Sequence, residues 1–258
     1  MEKINQLKNI LKNYNLDGYL IPKNDEYFSE YVPDHCDDLK YITNFTGSYG
    51  FALILMKANY LFVDGRYTVQ AHNQSGSNFK IINLPLTKNK VNLNIKNKKI
   101  GFNPKLFNEN SLNQLSKKFG FKCIIVKNNL VRSIKKKYEQ KVLKKPFYVL
   151  DKSVTGKSCF SKIENLKNKF NKKNIDLMLI TSSENIAWLL NIRGHDSKYS
   201  PIPNSFLIID KRLRIFLFCD LKKIQNKFKK KLSFLNIFET NKLEHFIYKI
   251  RNKNFLID

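Results

Sequence analysis

Several kinds of chemistry are closed to this sequence by what it lacks. Its four cysteines, Cys36, Cys123, Cys159 and Cys219, have no Cys-x-x-Cys spacing and no companion histidines at zinc-like intervals. That argues against a zinc finger and leaves free thiols in a reducing cytoplasm as the expectation. No apolar run approaches the roughly 20 residues of a membrane span, and the opening Met-Glu-Lys-Ile-Asn-Gln-Leu-Lys has no signal-peptide core. A soluble cytoplasmic protein with no membrane partner is expected. No glycine-rich phosphate loop precedes a helix, and Gly47-Ser48-Tyr49-Gly50 is not the Gly-x-Ser-x-Gly elbow of a serine hydrolase.

Acidic residues are scarce as well. Against 47 lysines and arginines there are 21 aspartates and glutamates, a formal net charge of +26. Such an excess raises a nucleic acid or an anionic surface as a partner. Yet the lysines are spread along the whole chain, and the two concentrations, Lys135 to Lys137 with Lys144 and Lys145, and Lys227 with Lys229 to Lys231, hold only Tyr138 and Phe228 between them. A single-strand groove needs several aromatics among its basic residues. Solvated faces are the reading, and nucleic acid is not expected as a partner.

Catalytic groupings are thin. His35-Cys36-Asp37-Asp38 is the densest set of potential ligands, but adjacent positions point in different directions, so it reads as loop polarity. His195-Asp196 reads the same way, and His72 and His245 have no partner in sequence.

With 258 residues the chain has room for two ordinary domains. Ile4, Leu7, Ile10 and Leu11 mark one face of a helix, and Tyr19-Leu20-Ile21 a strand ended by Pro22. Asp37 to Tyr41 reads as a short helix. The stretch from Thr43 to Ala71 organises the first half of the chain. Gly47 and Gly50 admit backbone angles that a β-carbon resists, Phe51 to Met56 and Tyr60 to Val63 pair as a hairpin, and Asp64-Gly65 ends it. Arg66 then stands between a strand and a helix, where a rigid frame can aim its fork at a carboxylate. Pairing with Asp64 or a helix end is the equally open structural alternative. Phe79 to Leu84, Lys99 to Phe102 and Lys122 to Val126 read as strands, with a helix from a Ser111 cap to Phe119. The alternation predicts an α/β layer fold with a mixed sheet.

A second pass repeats the first. Asn15-Leu16-Asp17 before Tyr19-Leu20-Ile21 is echoed by Asn174-Ile175-Asp176 before Leu177 to Ile180. The helical stretch before Thr43 is echoed by Glu184 to Leu190, with Trp188 read as core, and the hairpin by Phe206 to Ile209 and Ile215 to Asp220. The strand at Ile100 is echoed by Phe255 to Ile257, after which a helix and a closing strand are expected but not present, so the second copy is expected to be incomplete at its C-terminus.

The block Thr43, Phe45 to Ser48, Gly50, Asp64 to Tyr67, Gln70 and Ala71 resembles the N-terminal region of the Xaa-Pro aminopeptidases, creatinase-like metallopeptidases, although Asn44 replaces a glycine. Asp25, Ser29, Glu30, Tyr31, Val32 and Pro33 resemble a second segment of that family, with Tyr27 in place of a histidine. Ile186 to Asn191, Arg193, Gly194, Asp196, Pro201, Ser205 and Phe206 resemble a third. The resemblance implies two tandem creatinase N-terminal-like domains, at residues 1–140 and 141–258, each a mixed sheet flanked by helices. It also implies a hydrolase that releases an N-terminal residue preceding proline, using Mn or a similar divalent metal pair that this chain does not hold and a separate catalytic domain would. The chain itself is expected to be non-catalytic, contributing substrate-end recognition through Arg66, with Arg193 and Asp196 as further candidates, and homo-oligomer contacts. The rival is a non-enzymatic interaction module using its basic surface.

Overall fold

The structure is a computed structural model that describes residues 1–86, 91–135, 145–250 and 252–258. It divides into two compact units, Met1–Lys141 and Val142–Asp258. The division expected at residue 140 falls outside the described residues, as do Lys136, Lys137, Tyr138 and Lys144 of the first basic cluster.

In the first unit α1 (Glu2–Asn13) buries Ile4, Leu7 and Leu11, the stripe its helical spacing dictates. It leads to β1 (Gly18–Pro22), α2 (Asp38–Thr43) and the hairpin β2 (Gly50–Leu55) and β3 (Asn59–Asp64). A 3-10 turn, Gly65–Tyr67, opens α3 (Thr68–Ser75), followed by β4 (Lys80–Leu84), β5 (Lys99–Phe102), α4 (Glu109–Phe119), β6 (Lys122–Ile125) and α5 (Leu130–Lys135). The sheet runs β4-β3-β2-β1-β5-β6, with β2 antiparallel to both neighbours and the other pairs parallel. Apolar side chains fill both faces. One face packs with α1, α2, α3 and α5 and the other with α4 and the stretch through Leu93 and Ile95. Asn108 rather than Ser111 caps α4, accepting the Asn110 N–H, because its carboxamide sits one position before the helix while the Ser111 hydroxyl turns back to the Asn108 carbonyl.

The second unit adds β7 (Tyr148–Val149), α6 (Lys152–Thr155), α7 (Cys159–Lys173), β8 (Leu177–Ile180), α8 (Ser183–Leu190) and β9 (Ile192–Arg193). Then come β10 (Phe206–Asp210), β11 (Ile215–Cys219), α9 (Asn226–Lys231), β12 (Leu235–Glu239), α10 (Leu243–Lys249) and β13 (Phe255–Ile257). Its sheet runs β12-β11-β10-β8-β13. β10 is antiparallel to both neighbours and the outer pairs are parallel, the pattern of the first sheet without its last strand.

The repeat extends to single hydrogen bonds. Asn15 and Asn174 both take left-handed angles, φ 51° and 49°, at helix ends. The next N–H reaches back to the Leu11 carbonyl in one copy and the Phe170 carbonyl in the other. Asp17 and Asp176 each give their N–H to a carbonyl at the start of a parallel strand, that of Lys99, the first residue of β5, and that of Asn254, just before β13, and their carboxylates take the same residue's N–H in return. Asn44 and Asn191 end α2 and α8 in the same left-handed conformation.

Trp188 departs from the expected core position and is 60% exposed. α8 buries Ile186, Ala187, Leu189 and Leu190, and two residues along a helix turn the side chain by about 200°, away from the face Ile186 marks. The Lys162 ammonium lies 4.5 Å from its ring.

Candidate functional site

Asp64 ends β3 and caps the 3-10 turn, its Oδ1 accepting the Arg66 N–H at 3.0 Å. The same oxygen takes the Arg66 Nε–H at 2.9 Å, so one carboxylate fixes both the backbone and the side chain of the arginine. The Arg66 hydrogen bonds, side chain first, hold the Asp64 carboxyl below its ordinary value, and Asp64 in turn raises Arg66. Even so, the Arg66 side chain remains 75% exposed. Its guanidinium carbon is 5.6 Å from the Tyr67 ring, and the Tyr67 hydroxyl meets Ser48 at 2.7 Å. Beside them Gln74 accepts the Thr46 N–H and Gln70 donates to the Thr46 hydroxyl, tying the Thr43–Gly50 loop to α3. At Gly47 the need is for room, not a left-handed angle: a β-carbon would stand 2.1 Å from the Phe45 ring. The result is an arginine fork pre-aimed by its own aspartate on a rigid corner, with capacity left for a second carboxylate.

Arg193 and Asp196 lie in the second unit and are not paired with each other. Arg193 donates to the carbonyls of Ala187 and Ile192, closing the end of α8. Asp196 is nearly buried, forms an ion pair with Lys223 and accepts the Asn204 N–H at 2.7 Å. Gly194 lets the two arms of this loop meet, since a β-carbon would sit 2.7 Å from the Ile202 carbonyl oxygen. Lys162, inconspicuous among the many lysines of the sequence, is 5% exposed and holds the Trp188 carbonyl and the Asn191 side chain at 2.6 Å each. A signal for it exists: it falls on the buried stripe of α7, next to Ile163.

His35-Cys36-Asp37-Asp38 spreads toward separate partners. Asp37 caps α2 and pairs with Lys23, and Asp38 accepts from Asn129 at 2.6 Å. Burial pushes the Cys36 thiol up to about 11. Among the described residues no group of three or more His, Cys, Asp or Glu side chains is placed to hold a metal, and no helix is long and apolar enough to cross a membrane. In the basic helix α9, Phe228 is 3% exposed and belongs to the core, so the aromatic enclosed by those lysines cannot stack on a base.

The family model of the creatinase/prolidase N-terminal domain matches residues 3–134, and a second model of the same description matches residues 137–258. The chain belongs to this family. As a creatinase/prolidase N-terminal pair, it is 28% identical over 248 residues to Xaa-Pro aminopeptidase 1 of Dictyostelium discoideum, covering 90% of this chain and 39% of that protein. It is 29% identical over 219 residues to Xaa-Pro aminopeptidase app-1 of Caenorhabditis elegans, covering 81% of this chain and 35% of that one. The crystal structure of the C. elegans X-prolyl aminopeptidase, described as a cytosolic enzyme with a di-nuclear active site, superposes with a TM-score of 0.84 at 27% identity. That superposition covers 95% of this chain and 43% of the enzyme. The creatinase/prolidase N-terminal pair therefore spans well under half the length of these relatives. Two tandem domains, each a mixed sheet with helices, are the architecture the sequence predicted.

Proposed function

We propose that this chain is the non-catalytic N-terminal region of an Xaa-Pro aminopeptidase-like metallopeptidase, supplying substrate-end recognition and oligomer contacts in the cytoplasm. The observation that carries the reading is the corner at Arg66: a guanidinium held by Asp64, three-quarters exposed, on a unit that is similar over its length to peptidases acting before proline. The ligand such a fork suits is a peptide carboxylate or an acidic group beside the bound peptide. Hydrolysis would need a pair of divalent metals such as Mn to activate water, held by a catalytic domain that partners this chain. Arg193 and Asp196 remain subsidiary candidates whose contacts favour a role in shaping the loop.

A chimera tests this directly. The C. elegans enzyme with its matched N-terminal region replaced by this chain should release the N-terminal residue from an Xaa-Pro peptide in Mn. Arg66→Ala in the chimera should lower kcat/KM about tenfold, the loss of one charge-assisted contact worth roughly 1.4 kcal/mol, with its assembly unchanged. A folded chimera in which Arg66→Ala leaves kcat/KM untouched removes Arg66 from the reading.

A further inference from the structure

The hairpin that carries Arg66 brings an aromatic side chain beside it. Its register sets Gly50 opposite Val63 and Phe51 opposite Phe62, and one step further along it Tyr49 falls opposite Asp64, the residue that holds the guanidinium. Directly opposed residues of an antiparallel pair stand with their β-carbons about 5 Å apart. Residues two apart along a strand share a face, so Tyr49 and Asp64 continue the row begun inside the core by Phe51 and Phe62, whose rings stack at 4.3 Å. The core ends between the two pairs: Phe62 is fully buried and Tyr49 is 60% exposed. Its backbone is fixed on both sides, because Ser48 meets the Tyr67 hydroxyl at 2.7 Å and the Gly50 carbonyl accepts the Lys23 N–H at 3.0 Å. Tyr67 is itself anchored edge-on against Phe45, ring centroids 5.8 Å apart. Among the described residues the Arg66 guanidinium leans on Tyr67, and no ring or cation stacks on Tyr49. Its ring is therefore free beside the fork, at a position between Ser48 and Gly50 that is outside the residues matching the family.

We infer that Tyr49 determines specificity at this corner: the ligand is the C-terminal residue of a short peptide, with its carboxylate on the Arg66 fork and an aromatic side chain on the Tyr49 ring. The assignment rests on the reading of Arg66 as a substrate-end contact. A terminal residue carries its carboxylate and its side chain on one α-carbon, which matches a cation and a ring held at neighbouring positions of one hairpin. An internal aspartate or glutamate spends its own side chain on the fork. In an extended peptide its neighbours then turn to the opposite face, away from Tyr49. The guanidinium keeps donors for the terminal carboxylate, since Asp64 engages Nε at 2.9 Å and Nη2 only at 3.5 Å. A flat ring suits Tyr49 better than an aliphatic chain, because offset or edge-on aromatic pairs gain beyond the area they bury.

The test is the binding of short peptides to the full chain, followed through the amide signals of Gly50 and Gly65 by nuclear magnetic resonance. Ala-Pro-Phe should bind about tenfold tighter than Ala-Pro-Ala. Tyr49→Ala should abolish that preference and Tyr49→Phe should keep it, since the ring rather than the hydroxyl makes the contact. Amidation of the peptide C-terminus and Arg66→Ala should each weaken both peptides about tenfold and leave their ratio unchanged. Equal binding of the two peptides, or a preference that survives Tyr49→Ala, overturns the role of Tyr49 while the carboxylate reading of Arg66 stands. Binding that ignores both amidation and Arg66→Ala overturns that reading and the assignment of Tyr49 with it. So does the absence of binding by every peptide.

Discussion

Arg66, Asp38 and Asp196 are three charged side chains with three different relations to solvent, and each has a distinct expected response. Arg66→Ala should leave the urea midpoint of the chain unchanged, because an exposed ion pair to Asp64 contributes almost nothing to stability. A clear drop would make Arg66 structural. Asp196→Ala strands the Lys223 ammonium, 14% exposed, and the Asn204 N–H, so it should lose about 3 kcal/mol in the same measurement. Asp38 is buried, and its carboxyl is raised by burial against the opposing pull of Asn129 and Arg132. From the ordinary carboxylate value near 3.9 upward, the folded state therefore binds more protons than the unfolded one, and this group costs stability as pH rises. Asp38→Asn should melt higher than the parent at pH 7, with the difference closing as the pH falls to about 4. A difference that persists unchanged at pH 4 would assign the effect to something other than ionisation. The role of Arg66 stayed open in the sequence because the motif names the pair with Asp64 but not its exposure. The role of Asp196 was hidden because its partner, Lys223, is distant in sequence.

At the level of elements, legibility followed period. All strands of the first sheet and all but β12 of the second could be read because short apolar runs bounded by Asp, Asn and Gly have few alternatives, and the tandem repeat could be read because Asn-x-Asp recurs at the same joint; β12, Leu235–Glu239, was missed because Asn236 and Glu239 break its apolar run. Trp188 went astray because its neighbours in the run are apolar, although the helical angle sets it opposite Ile186. α7, with Cys159, Ile163 and Phe170 buried at helical spacing, was obscured by lysines and asparagines that cover its outer face. That helix supplies a further expectation. Lys162→Met would leave the Trp188 carbonyl and the Asn191 side chain without their donor. The cost should be about 2 kcal/mol by urea unfolding, with exchange quickening at the end of α8. A neutral variant would show that water replaces the ammonium there.

Across the whole molecule the two halves share a plan but not a level of cover. Among the described residues, the cluster behind the first sheet around Leu20, Leu53 and Ile100 contains eleven buried apolar residues, whereas the matching cluster around Leu179, Ile208 and Phe218 contains four. Each fully buried aliphatic or aromatic side chain contributes about 1.5–3 kcal/mol, so that face of the second sheet has less to oppose local opening, although its other face is packed as fully as the first unit's. Its open strand lies beside β8, the strand equivalent to β1 in the first sheet, and fraying of β13 exposes β8 next. Native-state hydrogen exchange on the intact chain should therefore show Leu179 and Ile208 exchanging about tenfold faster than Leu20 and Leu53, the positions equivalent to them by register. Equal protection of all four amides in a proven monomer would mean that α10 alone suffices to cover the second sheet, and that its smaller core carries no penalty.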